Sequence, residues 1–147
     1  MRVEEINIAI VKHLRDGRKS FRAIAEELGV TENTIRTRVN KLKRDGVLDI
    51  AGLMDPDIVS RHQVVMVGVK LNTMNLVMKG KEFSSLKGVV SVAVVTGRFD
   101  LILTVLLKEG FGLLEFYTEE VSRIEGVRSV ETFVVYKSFN LKVPYVL

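Results

Sequence analysis

Asn33, Arg36, Thr37 and Asn40 stand at i, i+3, i+4 and i+7, the spacing that puts side chains on one face of a helix. Their amide, guanidinium and hydroxyl groups match the hydrogen-bonding edges of bases in a DNA major groove. Ile35, Val39 and Leu42 interleave with them and give the same segment an inward apolar stripe. Other donors surround this face: Arg18, Lys19 and Arg22 before it, Thr31, Thr34, Arg38 and Lys41 along it. Cations and hydroxyls of this kind hold phosphates and fix register without reading sequence. Base contacts are therefore expected from Asn33, Arg36 and Thr37, with Asn40 beside them, and phosphate contacts from the other seven. The plain alternative is a helical hairpin with a solvated basic face.

The elements that must position these groups are legible around them. Gly29 follows Leu28 and can take the left-handed conformation that ends a helix. Thr31, two residues on, can cap the next helix with its side-chain oxygen, and Ser20 can do the same one helix earlier. Ala25, four residues before Gly29, is small enough to let two helices cross closely. Val3, Ile6, Ile10 and Leu14 repeat at helical spacing. Helices are predicted over 3–15, 21–28 and 32–45, then a short extended segment over 47–53 and a turn at Asp55-Pro56-Asp57. The charge agrees with this division. Of the net +4, residues 1–48 contribute 11 Lys/Arg against 7 Asp/Glu, and the remainder 11 against 11. Affinity for a polyanion belongs to the first third.

The rest of the chain holds an internal repeat. Gly88-Val89-Val90-Ser91-Val92 and Gly126-Val127-Arg128-Ser129-Val130 share G-V-x-S-V. Strands are predicted over 64–71, 89–96, 100–108 and 127–137, and helices over 76–86 and 110–124. That order, βαββαβ, gives an antiparallel sheet with both helices on one face. Gly80 inside the first of those helices costs about 1 kcal/mol relative to Ala. The fold class is α+β: a helix-turn-helix domain over 1–53, a linker over 54–62, and a βαββαβ domain over 63–147. The strands show little polar alternation, so the sheet face without helices would expose an apolar patch, and such patches mark interfaces. Two copies packed sheet to sheet are expected. Gly97-Arg98-Phe99-Asp100 forms the turn between the middle strands, where Asp100 either bonds the turn's own backbone or faces a ligand.

Other chemistry has little footing. There is no cysteine and there are only two histidines. His13 reads as a helix-surface residue and His62 as a linker residue, so no metal site is expected. No nucleophile elbow, Walker A loop or dinucleotide fingerprint occurs, and neither enzyme activity nor a cofactor is expected. The start has acidic residues, Glu4 and Glu5, where a signal peptide needs cations, and the apolar runs are too short to span a bilayer. A cytoplasmic protein with no membrane contact is the expectation.

The chain resembles the Lrp/AsnC (feast/famine) family of transcription regulators over nearly its whole length. In the first domain the resemblance rests on Asp16-Gly17-Arg18-Lys19-Ser20, Ile24-Ala25, Gly29, Thr31, Thr34, Arg38-Val39 and the run Lys41–Leu48. In the second it rests on Val95-Thr96-Gly97-Arg98-Phe99-Asp100, which looks like the family's V-T-G-x-x-D turn, and on Gly126-Val127 and Thr132. It departs from the family at Val3-Glu4 and Asn7, where L-D-x-x-D is usual, and at Arg98 and Phe99. The tail 141–147, with Pro144, matches no pattern. The resemblance implies a homodimer, assembling further to tetramers or octamers, that binds double-stranded DNA. It also implies an amino-acid effector near the turn. The effector residues expected on that basis are Thr96, Gly97, Arg98, Phe99, Asp100 and Leu101, with Glu131 and Thr132 on the last strand. An architectural DNA-binding protein without an effector and an enzyme similar to siroheme decarboxylases are the alternatives on the same scaffold.

Overall fold

A computed structural model of the chain describes residues 3–147, the side chain of Val3 excepted, so the apolar role expected of Val3 lies outside the described residues. Two compact units are present, one ending at Ala51 and one running from Gly52 to Leu147. The first holds α1 (Val3–His13), α2 (Phe21–Leu28) and α3 (Glu32–Arg44). Ile10, Ile24, Ala25, Ile35 and Val39 form its core, walled by Ile6, Leu14, Phe21, Leu28, Val30 and Leu48. The caps are those the residue types require. Ser20 Oγ accepts from Ala23 N–H at 3.1 Å and Thr31 Oγ1 from Thr34 N–H at 3.2 Å. Gly29 turns the chain between α2 and α3 at φ +66°. Helix α1 stops at His13, short of residue 15, because Arg15 and Asp16 bond back three residues rather than four. The extended segment expected over 47–53 does not form as such. Val47 and Leu48 both donate to Leu42 O, which folds them onto the end of α3.

The second unit contains β1 (Leu53–Met54), β2 (His62–Leu71), α4 (Leu76–Ser84), β3 (Val89–Val94), β4 (Leu101–Lys108), α5 (Leu113–Glu115), β5 (Val127–Val134) and β6 (Val143–Pro144). Four strands make an antiparallel sheet in the order β3-β4-β2-β5. His62 opens β2 opposite Lys108, so it is a strand residue and not a linker residue. Period-two alternation sorts β2 into two faces. Val65, Val67, Val69 and Leu71 join Leu101, Leu103, Val105 and Leu107 under Phe83, Phe111, Phe116 and Val121 to form the main core. Burial of each of the three Phe side chains stabilises by about 1.5–3 kcal/mol. Gly80 sits against this sheet, where an added Cβ would lie 3.6 Å from Val94 Cγ2.

The helix expected over 110–124 is broken. After α5 the backbone widens to a π turn over Phe116–Glu120 and then tightens to a 3-10 turn over Val121–Arg123. Two hydroxyls bond back within this stretch, Thr118 Oγ1 to Leu114 O at 2.8 Å and Ser122 Oγ to Thr118 O at 2.6 Å. Such back-bonding competes with the helical ladder. Glu120, buried, accepts from Lys87 N–H at 3.1 Å, which fixes the widened turn against the loop before β3.

The tail, without an assignable pattern in sequence, has a definite place. β6 pairs with β1, and Val143 packs with Val64 and Leu106 on the sheet face opposite the helices, ringed by Met54, Val90, Val135, Leu141 and Val146. Two carboxylates tie it down. Asp55 accepts from Lys142 Nζ at 2.7 Å, and Asp57 from Ser138 N–H and Oγ, both at 3.1 Å. These bonds hold both carboxyls below the usual range, led by the Lys142 bond for Asp55 and the Ser138 backbone bond for Asp57. Val143→Ala should therefore lower the stability of this unit by about 1–2 kcal/mol, two methyl groups of burial. Urea unfolding measures it, and an unchanged midpoint would show that the tail contributes nothing to the sheet.

Candidate nucleic-acid interface and a turn site on the sheet

On α3 the inward residues Ile35, Val39 and Leu42 are buried, whereas Asn33, Arg36, Thr37 and Asn40 are all exposed. The helix is held by its cap and its packing on Ile24 and Ala25, so this polar row stands on a fixed support. Arg44, four residues beyond Asn40, extends the row and is three-quarters exposed. Its i+4 spacing from Asn40 is the sequence signal that places it there. Thr31 and Thr34 share a hydroxyl–hydroxyl bond of 2.8 Å at the start of the helix.

The cations expected on phosphate divide into two groups. Arg18, Arg22 and Lys41 are exposed. Arg22 pairs with Glu26 at 3.0 Å, and Lys41 lies 4.0 Å from Asp45. Exposed pairs of this kind contribute little and exchange readily for a phosphate. Lys19 and Arg38 are placed differently. Lys19 Nζ lies 2.6 Å from Glu27 Oε1 and 2.9 Å from His13 Nδ1, a cluster joining the end of α1 to α2. The Lys19 hydrogen bond holds the Glu27 carboxyl below its usual value. Arg38, half-buried, donates from Nη1 to Asn7 Oδ1 at 3.2 Å. It lines a groove of about 530 Å³ between α1 and α3 with Ile8, Val11 and Val47. Both long side chains are thereby drawn inward by partners on α1 and α2 that spacing along α3 does not reveal. His13 is correspondingly half-buried, not a free surface residue.

The eight residues expected around the second turn do not form one cluster. Thr96, Gly97, Arg98, Phe99 and Asp100 lie together in the β3–β4 connection, with Gly97 at φ +108°. The connection closes through Val95 N–H to Asp100 O at 3.0 Å and Asp100 N–H to Val69 O at 2.8 Å. Phe99 lies over Gly68, where even a Cβ would stand 2.8 Å from the ring, and meets Phe133 edge-on at 6.0 Å. Arg98 reaches Glu131 at 3.2 Å on this same face. Leu101 instead points into the core, fully buried. Thr132 follows Glu131 on a strand, so it faces the other side, where its hydroxyl meets Tyr117 Oη at 2.5 Å. Asp100 has both oxygens engaged: Oδ2 accepts from Leu71 N–H at 2.8 Å and Oδ1 from Lys70 Nζ at 3.1 Å. Of the two roles open to it in sequence, the geometry is that of a residue structuring the turn.

Among the described residues no group of His, Cys, Asp and Glu could hold a metal ion, and no helix is long and apolar enough to cross a membrane.

Comparison with known proteins bears on both units. Residues 4–43 match the AsnC-type helix-turn-helix domain, and residues 64–143 match the Lrp/AsnC ligand binding domain. An uncharacterised HTH-type transcriptional regulator of Pyrococcus abyssi is 31% identical over 137 residues, 92% of this chain and 87% of that protein. The HTH-type transcriptional regulator Ptr1 of Methanocaldococcus jannaschii is 25% identical over 94% of this chain and 95% of its own length. In structure, the chain is similar to the transcriptional regulator NMB0573 of Neisseria meningitidis, solved as its L-Met complex. The TM-score is 0.70 at 17% identity, over 99% of this chain and 96% of that one.

The turn carries a pH signature. The Leu71 amide bond, then the Lys70 ammonium, holds the Asp100 carboxyl below its ordinary value. A depressed folded-state value means the contribution is complete above the unfolded value, about 3.9, and is lost as pH falls through the folded one. The Leu71 amide should exchange faster as pH drops below about 4, beyond the intrinsic change in chemistry. Asp100→Asn should abolish that extra dependence in NMR-detected exchange. Protection that is indifferent to this substitution would contradict the assignment.

Proposed function

The chain belongs to the Lrp/AsnC family of transcription regulators, and we propose that it reads DNA with the outward face of α3 and couples that reading to an amino acid at the β3–β4 turn. The observation that carries the first part is the segregation on α3, with Ile35, Val39 and Leu42 buried and a row of base-matching side chains exposed. Asn33, Arg36 and Thr37 contact bases near the helix N-terminus, as the second helix of this motif does. Asn40 and Arg44 follow along the groove. Arg18, Arg22 and Lys41, with the Thr31 and Thr34 hydroxyls, take phosphates. Lys19 and Arg38 act as struts of the head.

Two copies supply paired half-sites. The sheet face opposite the helices supports that pairing, because Met66 and Phe133 remain 38% and 44% exposed there. Higher assembly follows the family. The relatives are transcription regulators, and no enzymatic step is assigned to this chain.

The effector part rests on the turn and on the L-Met held by the Neisseria meningitidis regulator. The Gly97 and Arg98 amides suit a ligand carboxylate, as successive backbone N–H groups do. Glu131, on the same face as Arg98, suits the ammonium, while Asp100 keeps the turn in shape. A ligand shifts the regulator only if it binds one assembly better than another.

Two measurements test this reading. Arg36→Ala should cost about 1–3 kcal/mol on a selected site and relax one base position, whereas Lys41→Ala should weaken all duplexes alike and reduce the salt slope by about one. Equal affinity of Arg36→Ala for selected and random DNA, unchanged from the parent, would defeat the base-contact assignment. Calorimetry with the twenty amino acids, paired with sedimentation, should find a ligand whose affinity drops about tenfold or more in Glu131→Gln, the loss of a charged hydrogen bond. Absence of binding by every amino acid would leave a DNA-binding protein without this class of effector.

A further inference from the structure

Arg36 is not a free arginine on a helix surface. Its Nη2 donates to Glu32 Oε1 at 2.6 Å, one helical turn earlier. Its guanidinium carbon stands 5.4 Å from the centroid of the Phe21 ring, which belongs to the first turn of α2. Phe21 is half-buried against the head core, so its ring is a fixed platform. An arginine side chain held at both its edge and its face loses less conformational freedom on binding than a solvated one. The bond to Glu32 takes one of five N–H donors, leaving a parallel pair of the kind that meets guanine O6 and N7.

In the first turn of α3 the Glu32 carboxylate complements the positive end of the helix dipole, and its bond to Arg36 gives it a second use. It is the one carboxylate within α3, 45% exposed, beside the residues that would enter the groove. A carboxylate there repels phosphates and weakens non-specific affinity. An i,i+4 ion pair at an exposed position adds only a little to helix stability. As a brace for a base-reading arginine, the same charge raises discrimination. It fixes the guanidinium in one plane and disfavours its collapse onto a phosphate.

We propose that Glu32 and Phe21 are positioning residues that hold Arg36 in a preset orientation, making it a reader of guanine at one position of each half-site. The inference rests on the proposal that α3 lies in the major groove, and it adds the identity of the base and two residues outside the contacting row.

In vitro selection on a pool of random-sequence duplexes, using the full-length protein and its variants, tests it. The parent should fix guanine at one position per half-site. Glu32→Gln should retain the fold by melting temperature and bind random duplex several-fold more tightly. Its preference for guanine over adenine at that position should fall roughly fivefold or more, part of the discrimination a bidentate pair supplies. Phe21→Leu, which keeps apolar bulk and removes the ring face, should move the preference in the same direction. In the Arg36→Ala background neither change should alter the preference further, because a brace acts only through the residue it holds. Glu32→Gln with an undiminished guanine preference would overturn the bracing role while leaving α3 as the reading helix. A guanine preference that survives Arg36→Ala would overturn the assignment of the base to Arg36. A pool with no fixed position would overturn the premise of sequence-specific reading itself.

Discussion

In the larger unit, β2 is paired along both edges, covered on one face by the helices and in part on the other, and the neighbouring elements take their places from it. β4 and β5 bond its two sides. The helices cover Val65, Val67, Val69 and Leu71. On the reverse face the tail covers Val64 through Val143, and Phe99 covers Gly68. The absence of a side chain at Gly68 is what lets the turn fold down onto the sheet. With Phe99 seated there, Arg98 comes within reach of Glu131 and Asp100 within reach of Leu71 and Lys70. The geometry of the turn is thus a consequence of packing on the adjacent strand β2.

The head obeys the same rule at smaller scale. Ile24, Ala25, Ile35 and Val39 fix the crossing of α2 and α3, and that crossing decides which cations face outward. Lys19 and Arg38 are spent on α1 and α2, while Arg18, Arg22, Arg36, Lys41 and Arg44 remain exposed. Net positive charge alone does not make this distinction. Acidic partners within the head, Glu27, Glu26 and Glu32, engage Lys19, Arg22 and Arg36 in turn.

What could be read from the sequence was local in origin. The caps at Ser20 and Thr31, the turn at Gly29, the stripe on α3 and the two-face pattern of β2 all depend on residues a few positions apart, and each stands where the residues place it. What could not be read depends on distant partners. The 110–124 segment looks like one amphipathic helix, yet the pull of the Lys87 amide on Glu120 and the back-bonding of Thr118 and Ser122 split it. β1 and β6 are two residues each and pair across about ninety positions of chain, too short to leave a periodic signal. Glu131 and Thr132 are neighbours in sequence and therefore on opposite sheet faces, which follows from strand geometry once a strand is predicted there. The engagement of Asp100 by Lys70 required the fold, because nothing in the turn itself names a residue on the neighbouring strand.

In the proposed function α3 presents a preformed reading face whose outward row meets DNA. Chemical-shift mapping on titrating the protein with a duplex from a selected pool tests it most directly. The largest perturbations should fall at Asn33, Arg36, Thr37 and Asn40, with smaller ones at Arg18, Arg22 and Lys41. Ile8 and Asn7, in the groove between α1 and α3, should stay unchanged. Perturbations concentrated at that groove or in the sheet unit, with the α3 row silent, would contradict it.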